Sequence, residues 1–544
     1  MEQNQYVSPE TQPVEQEICP TSIYEPKPLF LLNGKDMAFS LCTVAVCVFT
    51  CVCGLFGGLA LGYLLSVVAF FVLFWIYFSK SGKVSLFSVM SALLVLGMGA
   101  VFLCTTNDSV RFFAGVLGFL LGLLCFDSLR NGKAVGNHQT LGRFYAAVSS
   151  LDNLDVAVKS LFSNENGDKK TVGKVLVGML CSLPVLFVVV PLLISSDNAF
   201  QGLMDSLFSN ALTTILKVAL GIMLAVPVMA YGFSLKYGRT ATLKRSGFAG
   251  IESVYVVSFL SVISLCYLLY LFSQLAYFFS AFRGFLPQAQ ITVSQYARKG
   301  FFEMCVIAVI NLLLVLGAFL LVKKKEGKVG GAVKVATTFI AGFTLVIIAT
   351  AISKMVLYIG SFGMTVLRLT TSAFMVFLAV VFISIVLRIY VRRVNVVKTA
   401  LFTAGLVLLV LGVGNVNRIC ARYNYEAYMN CQLTTVDVQA MYELGDEGIP
   451  YVAKLTYCVD EVVSIPAKDC LAEAYLYDYF EGMESAEGIT IDALRIREKN
   501  KGFSHFSLPR QAAYESLYRY VQECPGFAEW CWSYASWSGE DTIV

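Results

Sequence analysis

The sequence predicts an all-α membrane protein: a polytopic bundle of about 11 transmembrane helices followed by a soluble α-helical domain. The mean hydropathy is +0.70, and 57% of the 544 residues are hydrophobic. Only 14% are charged, against about a quarter in soluble globular chains. The charges are also segregated. Residues 413–544 hold 10 Lys/Arg against 20 Asp/Glu, whereas residues 1–412 hold 31 against 17, so the two parts carry net charges of −10 and +14 and suit different environments.

Residues 1–35 predict a disordered cytoplasmic tail. They contain five Glu, two Lys and five Pro, too little apolar surface to form a core. We also expect no cleaved signal peptide here, because the basic segment and the short apolar segment of such a peptide are missing.

The spans follow from length and hydropathy. A bilayer core about 30 Å thick is crossed by roughly 20 apolar helical residues. Residues 36–130 contain predicted transmembrane helices 1–4, and residues 174–415 contain helices 5–11. The 11 segments centre on 37–55, 57–78, 85–105, 110–129, 174–195, 213–235, 253–276, 303–322, 335–353, 367–388 and 398–415.

Between the two groups, residues 131–173 predict a cytoplasmic loop. Within it, residues 141–162 place Phe144, Val148, Leu151, Val158 and Leu161 at nearly helical spacing. This pattern predicts an amphipathic helix that lies on the inner membrane surface. A helix packed under the bundle is an equally good interpretation.

The distribution of Lys and Arg predicts the orientation. With the N-terminus in the cytoplasm, the inner segments hold 24 Lys/Arg and the outer loops hold six. Positive charge favours the cytoplasmic side, so we expect the N-terminus inside. An odd number of spans then places residues 416–544 outside the cytoplasm, and a count wrong by one would reverse this.

The segment 416–544 predicts a soluble helical domain. Residues 434–455 resemble one HEAT-type hairpin, with a helix from about Val436, a turn at Gly445–Asp446, and a second helix near Ile449–Tyr457 that has Pro450 in its first turn. Three later stretches are also helical candidates, and Ser507 is a candidate N-cap. Such a domain binds more often than it catalyses.

Six of the 16 cysteines belong to this C-terminal segment. An even number in an extracytoplasmic domain permits up to three disulfides, with 15 connectivities, and free thiols are the alternative. The candidates are Cys420, Cys431, Cys458, Cys470, Cys524 and Cys531.

Catalytic and metal-binding signatures are missing from the sequence. It has no HExxH, no GxSxG, no phosphate-binding P-loop and no paired CxxC, and its only histidines are His138 and His505. We therefore expect no catalytic residues, no cofactor and no metal site. The expected partner is membrane lipid, with an anionic lipid or an envelope protein as more specific candidates and with no nucleic acid.

A group of cations contradicts the charge rule. Arg298 and Lys299 lie on the predicted outer side, flanked by Tyr296 and Glu303. An interfacial anchor at headgroup level is one interpretation. The other adds Lys354 and Arg368 to form a basic collar that faces an anionic ligand or the acidic C-terminal domain.

Three stretches carry a family resemblance. They are QYARKGFFE (295–303), SKMVLYIGSFGMTVLRL (353–369), and NVNRICARYN (415–424) together with VDVQAMYELGDEGIPYV (436–452). They resemble an uncharacterised bacterial membrane family, domain of unknown function forty-one seventy-three, close to forty-one fifty-three. The resemblance covers roughly residues 170–455.

The resemblance implies a polytopic protein of the bacterial inner membrane with a soluble C-terminal region, and it implies no established activity. It adds Asn415, Arg422 and Asn424 to the candidate ligand or interface residues. The family's usual Pro-Asp is replaced here by Val416-Asn417.

Two function classes follow from the sequence. The first, which we favour, is a non-enzymatic envelope scaffold or sensor with an outer helical binding domain. The second is a transporter or a lipid- or glycan-processing enzyme that holds an anionic substrate at the basic collar. A polar cavity at mid-membrane reached from the collar favours the second class, and a solidly packed bundle favours the first.

Overall fold

A computed structural model describes residues 33–78, 85–131, 139–161, 189, 211–238, 250–282, 301–323, 329–391, 394–479, 503–524 and 526–537. Within these ranges the regular secondary structure is helical and contains no strand, which confirms the predicted all-α class. An isolated bridge between Ile251 and Val322 is the nearest approach to sheet structure.

Ten helices in the described residues are long and apolar enough to cross a membrane, and they coincide with ten of the predicted spans. The predicted span 174–195 lies outside the described residues. Two shorter helices, α5 and α6, lie between α4 and α7 and are described below. The ten helices are α1 (Gly34–Phe49, continued by a π-helical segment Thr50–Leu55), α2 (Leu61–Phe78), α3 (Leu86–Cys104), α4 (Asp108–Asn131), α7 (Ala211–Tyr237), α8 (Ser253–Phe282), α9 (Phe301–Leu321), α10 (Gly331–Phe362), α11 (Val366–Tyr390) and α12 (Val396–Val413).

The bundle has two halves that meet at α12. One half combines α1–α4 with α7, and the other combines α8–α11. Glycine allows α12 to approach α3 closely, since a Cβ atom added at Gly412 would lie 2.5 Å from the side chain of Val101. The ammonium group of Lys398 on α12 also lies 4.8 Å from the ring centroid of Phe87 on α3.

The helix ends define two faces. The domain face carries the turns at Gly58, Thr105 and Gly363, which contact the C-terminal domain. The Asp36 face, at the other end of the helices, carries Asp36 and Lys236, whose side chains form an ion pair.

The described part of the predicted loop, residues 139–161, packs under the bundle, which was one of the two predicted alternatives. It forms α5 (Gln139–Ser149), a 3₁₀ turn (Ser150–Asn153) and α6 (Leu154–Leu161) rather than one continuous helix. Asn153 donates a 2.8 Å hydrogen bond to Ser234 of α7, and the hydroxyls of Ser160 and Ser40 are 2.7 Å apart. Val148 is 63% exposed, so part of the apolar side of α5 is not covered by the bundle.

The described segments on either side of the predicted span 174–195 end on opposite faces. Leu161 follows Ser160, which contacts α1 four residues after Asp36. Helix α7 begins at Ala211 on the domain face, where the ammonium group of Lys217 lies 5.7 Å from the ring centroid of Phe56. It ends at Lys236 and Tyr237 on the Asp36 face.

The C-terminal domain is helical, as predicted. Its helices are α13 (Val416–Met429), α14 (Val438–Tyr442), α15 (Ile449–Leu455), α16 (Glu461–Tyr479), α17 (Leu508–Glu523) and α18 (Phe527–Trp537). The predicted hairpin is confirmed, with Pro450 in the first turn of α15, although α14 begins at Val438. Ser507 stands at the N-cap position of α17. The core packs around buried Leu455, Leu471 and Tyr475.

Candidate functional site: the interface between the bundle and the helical domain

A buried carboxylate forms the centre of the interface. Glu447 lies in the 3₁₀ turn between α14 and α15 and is 3% exposed. Its carboxylate accepts hydrogen bonds from the Thr106 backbone N–H at 2.7 Å, from the Thr105 hydroxyl at 3.1 Å and from the Thr106 hydroxyl. A carboxylate removed from water needs such donors, so this contact fixes the domain to the turn between α3 and α4.

Two asparagines extend the contact along α13. Asn415 caps α13 by accepting from the Arg418 N–H, and it donates to the Cys104 carbonyl at 2.7 Å. Asn415 has a positive φ of 59°, a conformation that Asn tolerates better than most residues. Asn417 accepts from Asn107 at 2.8 Å and donates to the Leu444 carbonyl at 3.0 Å.

The position where the sequence departs from the family pattern therefore has a structural role. Asn417 uses both its carbonyl oxygen and its amide nitrogen, and an ionised Asp can only accept. An Asp at this position would leave the Leu444 carbonyl without its donor.

A third anchor ties the domain to the other half of the bundle. Asn424 of α13 accepts from the Met364 N–H at 2.7 Å and donates to the Met364 carbonyl at 2.8 Å. The adjacent Gly363 has a φ of 76°, and a Cβ atom there would lie 2.7 Å from the Asn424 side chain. This turn therefore requires glycine for its backbone conformation and for the close approach.

Arg368 caps the end of α10. Its guanidinium donates to the Phe362 carbonyl at 3.1 Å and to the Gly363 carbonyl, and it lies 4.2 Å from the ring centroid of Tyr358. Arg111 does the same for α3, donating to the carbonyls of Thr105 and Phe102 at 2.7 and 3.1 Å. Each arginine follows the turn that it stabilises, and positive charge at a helix C-terminus is favourable.

The structure describes only part of the predicted collar. Tyr296, Arg298 and Lys299 lie outside the described residues. Glu303 is exposed near the start of α9, and Lys354 is half-buried on α10, two turns before the end of that helix. The basic collar therefore stays a prediction.

Arg422 contributes to the surface rather than to the interface. Its side chain is exposed and forms an i,i+4 ion pair with Glu426 at 2.7 Å. The three residues added by the resemblance thus divide into two interface asparagines and one exposed arginine.

All six candidate disulfide cysteines are free thiols in the structure, so their pairing stays a prediction. Cys420 packs among bundle residues such as Val101, apart from Cys470 and Cys531 in the domain core. Burial raises the pKa of Cys420, Cys470 and Cys531 to about 12 each, which keeps these thiols protonated near neutral pH.

The second histidine marks a further contact. His505 lies against Gly58 in the turn after α1, where a Cβ atom would come within 2.4 Å of Nδ1. The Leu61 N–H donates to the Phe506 carbonyl at 3.1 Å. No group of metal-ligating side chains occurs within the described ranges.

An apolar patch projects from the domain into solvent. Val459 is 99% exposed and Val462 is 80% exposed, and Tyr457 and Ile465 lie beside them at the junction of α15 and α16. We call these four residues the 457–465 patch. Acidic side chains border it, because Tyr457 donates to Glu523 at 2.8 Å and Asp460 accepts from the Val462 N–H at 3.0 Å.

A cavity lies inside the first half of the bundle. It has a volume of about 700 Å³ and is enclosed by α1–α4, α7 and α5. Its wall is almost entirely apolar, so it is not the polar mid-membrane cavity expected of a transporter that holds an anion. Neither Lys354 nor Arg368 lines it.

Sequence reasoning missed several interface residues, notably Thr105, Thr106, Asn107 and Glu447. Glu447 lies in the GDEGIP stretch, whose turn was predicted, but nothing in a single sequence connects it to a turn about 340 positions earlier. A polar cluster in a short loop between two apolar spans is the one local signal that could have indicated the TTND turn.

Comparison with known proteins gives one match. A family model described as "Domain of unknown function (DUF4153)" matches residues 59–455, which is more than half of the chain. No protein of curated function and no solved structure matches. The match covers the spans from α2 onward and ends at the last residue of α15.

Proposed function

The chain belongs to the DUF4153 family, a domain of unknown function, and from its structure we propose that it is a non-enzymatic membrane scaffold or sensor. In this proposal the helical domain binds a partner protein through the 457–465 patch. The exposure of Val459 and Val462 carries the proposal. Two valines within four residues that are 99% and 80% exposed are unusual in a water-facing domain.

The chemistry of the partner follows from the surroundings of the patch. Residues 413–544 carry a net charge of −10, and Asp460, Glu461 and Glu523 border the apolar side chains. A segment that presents apolar side chains flanked by Lys or Arg complements this surface. Complementary charge would speed and orient association, and the valines would supply the apolar contact.

The interface contacts support a scaffold. Glu447, Asn417 and Asn424 hold the domain against turns from both halves of the bundle. A partner on the domain would therefore be held at a fixed position relative to the membrane. A sensor would transmit a change in either half through the same contacts.

For topology, we propose a bacterial inner-membrane protein with a cytoplasmic N-terminus and an extracytoplasmic helical domain. The 24-to-6 distribution of Lys and Arg supports this orientation. The positions of Leu161 and Ala211 on opposite faces support an odd number of spans. The alternative of an anionic substrate on a basic collar gains no support from Arg368, which binds carbonyls of its own chain.

The test places a photo-crosslinking amino acid at Val459 or Val462 in the full-length protein in cells. We expect protein adducts whose crosslinked peptides contain apolar residues next to Lys or Arg. The same amino acid at Glu515, an exposed position on α17, is the control and should give no such adducts. Replacing Val462 with Asp should abolish the adducts formed at position 459.

Two outcomes would contradict the proposal. Adducts with lipid alone at positions 459 and 462 would assign the patch to the membrane surface. Equal protein adducts at Glu515 would show that the crosslinks report crowding rather than a binding surface.

A further inference from the structure

The cavity in the first half of the bundle is bordered by mid-span residues and by the loop beneath them. Met98 and Gly118 lie near the middle of α3 and α4, and Cys51 lies in the π-helical continuation of α1, nearer the domain face. Phe144 and Val148 of α5 line the end nearest the Asp36 face. Tyr63 in the first turn of α2 also lines it, so the cavity runs from the domain-face half of the bundle to the level of the Asp36 face, where lipid headgroups would lie.

The wall offers very little for a polar ligand to bind. Among the described residues, five with hydroxyl groups line the cavity, and four of these hydroxyls donate to backbone carbonyls of the protein: Thr50, Ser66, Ser150 and Tyr231. Their donors are thus already used within the bundle. The rest of the described wall consists of aliphatic and aromatic side chains, Met98, glycines and the weakly polar thiols of Cys47 and Cys51, so the complementary ligand is apolar.

The cavity also opens sideways. Phe119 of α4 lines it while 67% exposed, and Val148 of α5 lines it while 63% exposed. In a transmembrane helix the medium outside an exposed phenylalanine is lipid. The same opening lies next to the ion pair of Arg143 and Asp127, which holds α5 against the end of α4.

From this geometry we propose that the cavity binds one acyl chain of a bilayer phospholipid. The chain would enter between α4 and α5 from the leaflet on the Asp36 face, with its headgroup near α5. Three observations support this occupant: the apolar wall, the extension of the cavity along the spans to the headgroup level, and the lateral opening to lipid. The volume is within the range of ligand sites that enclose most of a small apolar molecule.

A single glycine provides the test. Gly122 lines the cavity, and a Cβ atom added there has no atom within 4 Å, so Gly122→Phe fills the cavity without a clash at its base. Gly342 on α10 has equally open space but lies outside the cavity, which makes Gly342→Phe the matched control.

The full-length protein is reconstituted in phosphatidylethanolamine–phosphatidylglycerol vesicles with a trace of phosphatidylcholine that has a diazirine at the end of one acyl chain. After irradiation we expect adducts on peptides containing Cys51, Met98 or Gly118. Gly122→Phe should reduce these adducts severalfold, and Gly342→Phe should leave them unchanged. Adducts at Phe259 and Val262, which face lipid on α8, should be equal in all three proteins.

Three outcomes would overturn the proposal. One is equal labelling of the cavity peptides in wild type and Gly122→Phe, and another is labelling only at lipid-facing positions such as Phe259. The third is labelling of the cavity by a diazirine fatty acid but not by the phospholipid, which would assign the cavity to a free acid. If Gly122→Phe fails to fold, Val228→Phe on the opposite wall decides by the same criteria.

Discussion

The two faces of the bundle bury carboxylates in different ways. On the Asp36 face, Asp36 is fully buried and accepts from the ammonium group of Lys236 and from Tyr77 and Tyr237 at 2.6 and 2.8 Å. On the domain face, the direct partners of Glu447 are two hydroxyls and one backbone N–H. One carboxylate is thus neutralised by contact and the other is stabilised by neutral donors.

The difference shows what each face can tolerate. Removing Asp36 would leave a partly buried ammonium group without its counter-ion, and an uncompensated buried charge is costly. Removing the charge of Glu447 would leave neutral donors as its direct partners, which can find other acceptors or water, and nearby Arg111 keeps its hydrogen bonds to backbone carbonyls. The Asp36 face should therefore resist substitution strongly, and the domain face should be able to adjust.

The largest expected effect is at Asp36. Asp36→Asn should lower the free energy of unfolding by about 3 kcal/mol, at the low end for breaking a buried ion pair, because the Lys236 side chain retains 27% exposure. The measurement is thermal unfolding of the purified protein in detergent. Asp155→Asn is the matched control, since its pair with Lys159 is exposed and is worth about 0.5 kcal/mol or less. Equal losses in both variants would remove the distinction between the faces.

A smaller effect is expected at Glu447. Glu447→Ala leaves three donors without an acceptor and should cost about 2–3 kcal/mol, and Glu447→Gln, which keeps one acceptor oxygen, should cost about 1 kcal/mol. Hydrogen exchange at the Thr106 amide should accelerate in the same order. If Gln proves as damaging as Ala, the negative charge itself matters, and the electrostatic interaction of Glu447 with nearby Arg111 becomes the main contribution.

The smallest effect concerns Arg368. Arg368→Gln should cost about 1–2 kcal/mol, because two hydrogen bonds to the end of α10 and the contact with Tyr358 are lost. Arg368→Lys should fall between Gln and wild type, since Lys lacks the planar fork. Arg422→Gln is the control, and its unfolding midpoint should not change, because its ion pair is exposed. These midpoints are measured with and without anionic lipid.

The measurement with anionic lipid also tests the predicted basic collar. If anionic lipid raises the unfolding midpoint of wild type but not of Arg368→Gln, the guanidinium faces a headgroup as well as the carbonyls. A lipid effect that is the same in both proteins would limit Arg368 to capping α10.

Hydropathy predicted most of the fold because each span obeys a local rule. An apolar run of about 20 residues must form a helix in lipid, where every backbone group needs an internal partner. The hairpin around Pro450 and the N-cap at Ser507 were predictable for the same reason, since both depend on neighbours in the chain. The packing of α5 and α6 under the bundle was left open, because amphipathic periodicity does not say what covers the apolar side.

The candidate site was only partly predictable because its contacts are long-range. Asn415 and Asn424 were reached through the resemblance, and the structure explains them as anchors to the turns at Cys104 and Met364. Glu447 was missed because its acidic side chain looks solvated in sequence and is buried only by a distant turn. Arg368 was predicted as a site residue because of its charge, but its contacts depend on the geometry of the end of α10.

The domain's anchors also bear on how the molecule is made. Asn417 and Glu447 bind a turn from the early part of the chain, and Asn424 binds a turn from the late part. During synthesis the domain emerges from the ribosome after every described span. It can reach all its anchors only when the α3–α4 hairpin and the α10–α11 hairpin have been inserted with their turns on the same side of the membrane. Docking of the domain therefore depends on the correct insertion of both hairpins, because a chain with one misinserted hairpin would leave Glu447 or Asn424 without its partners.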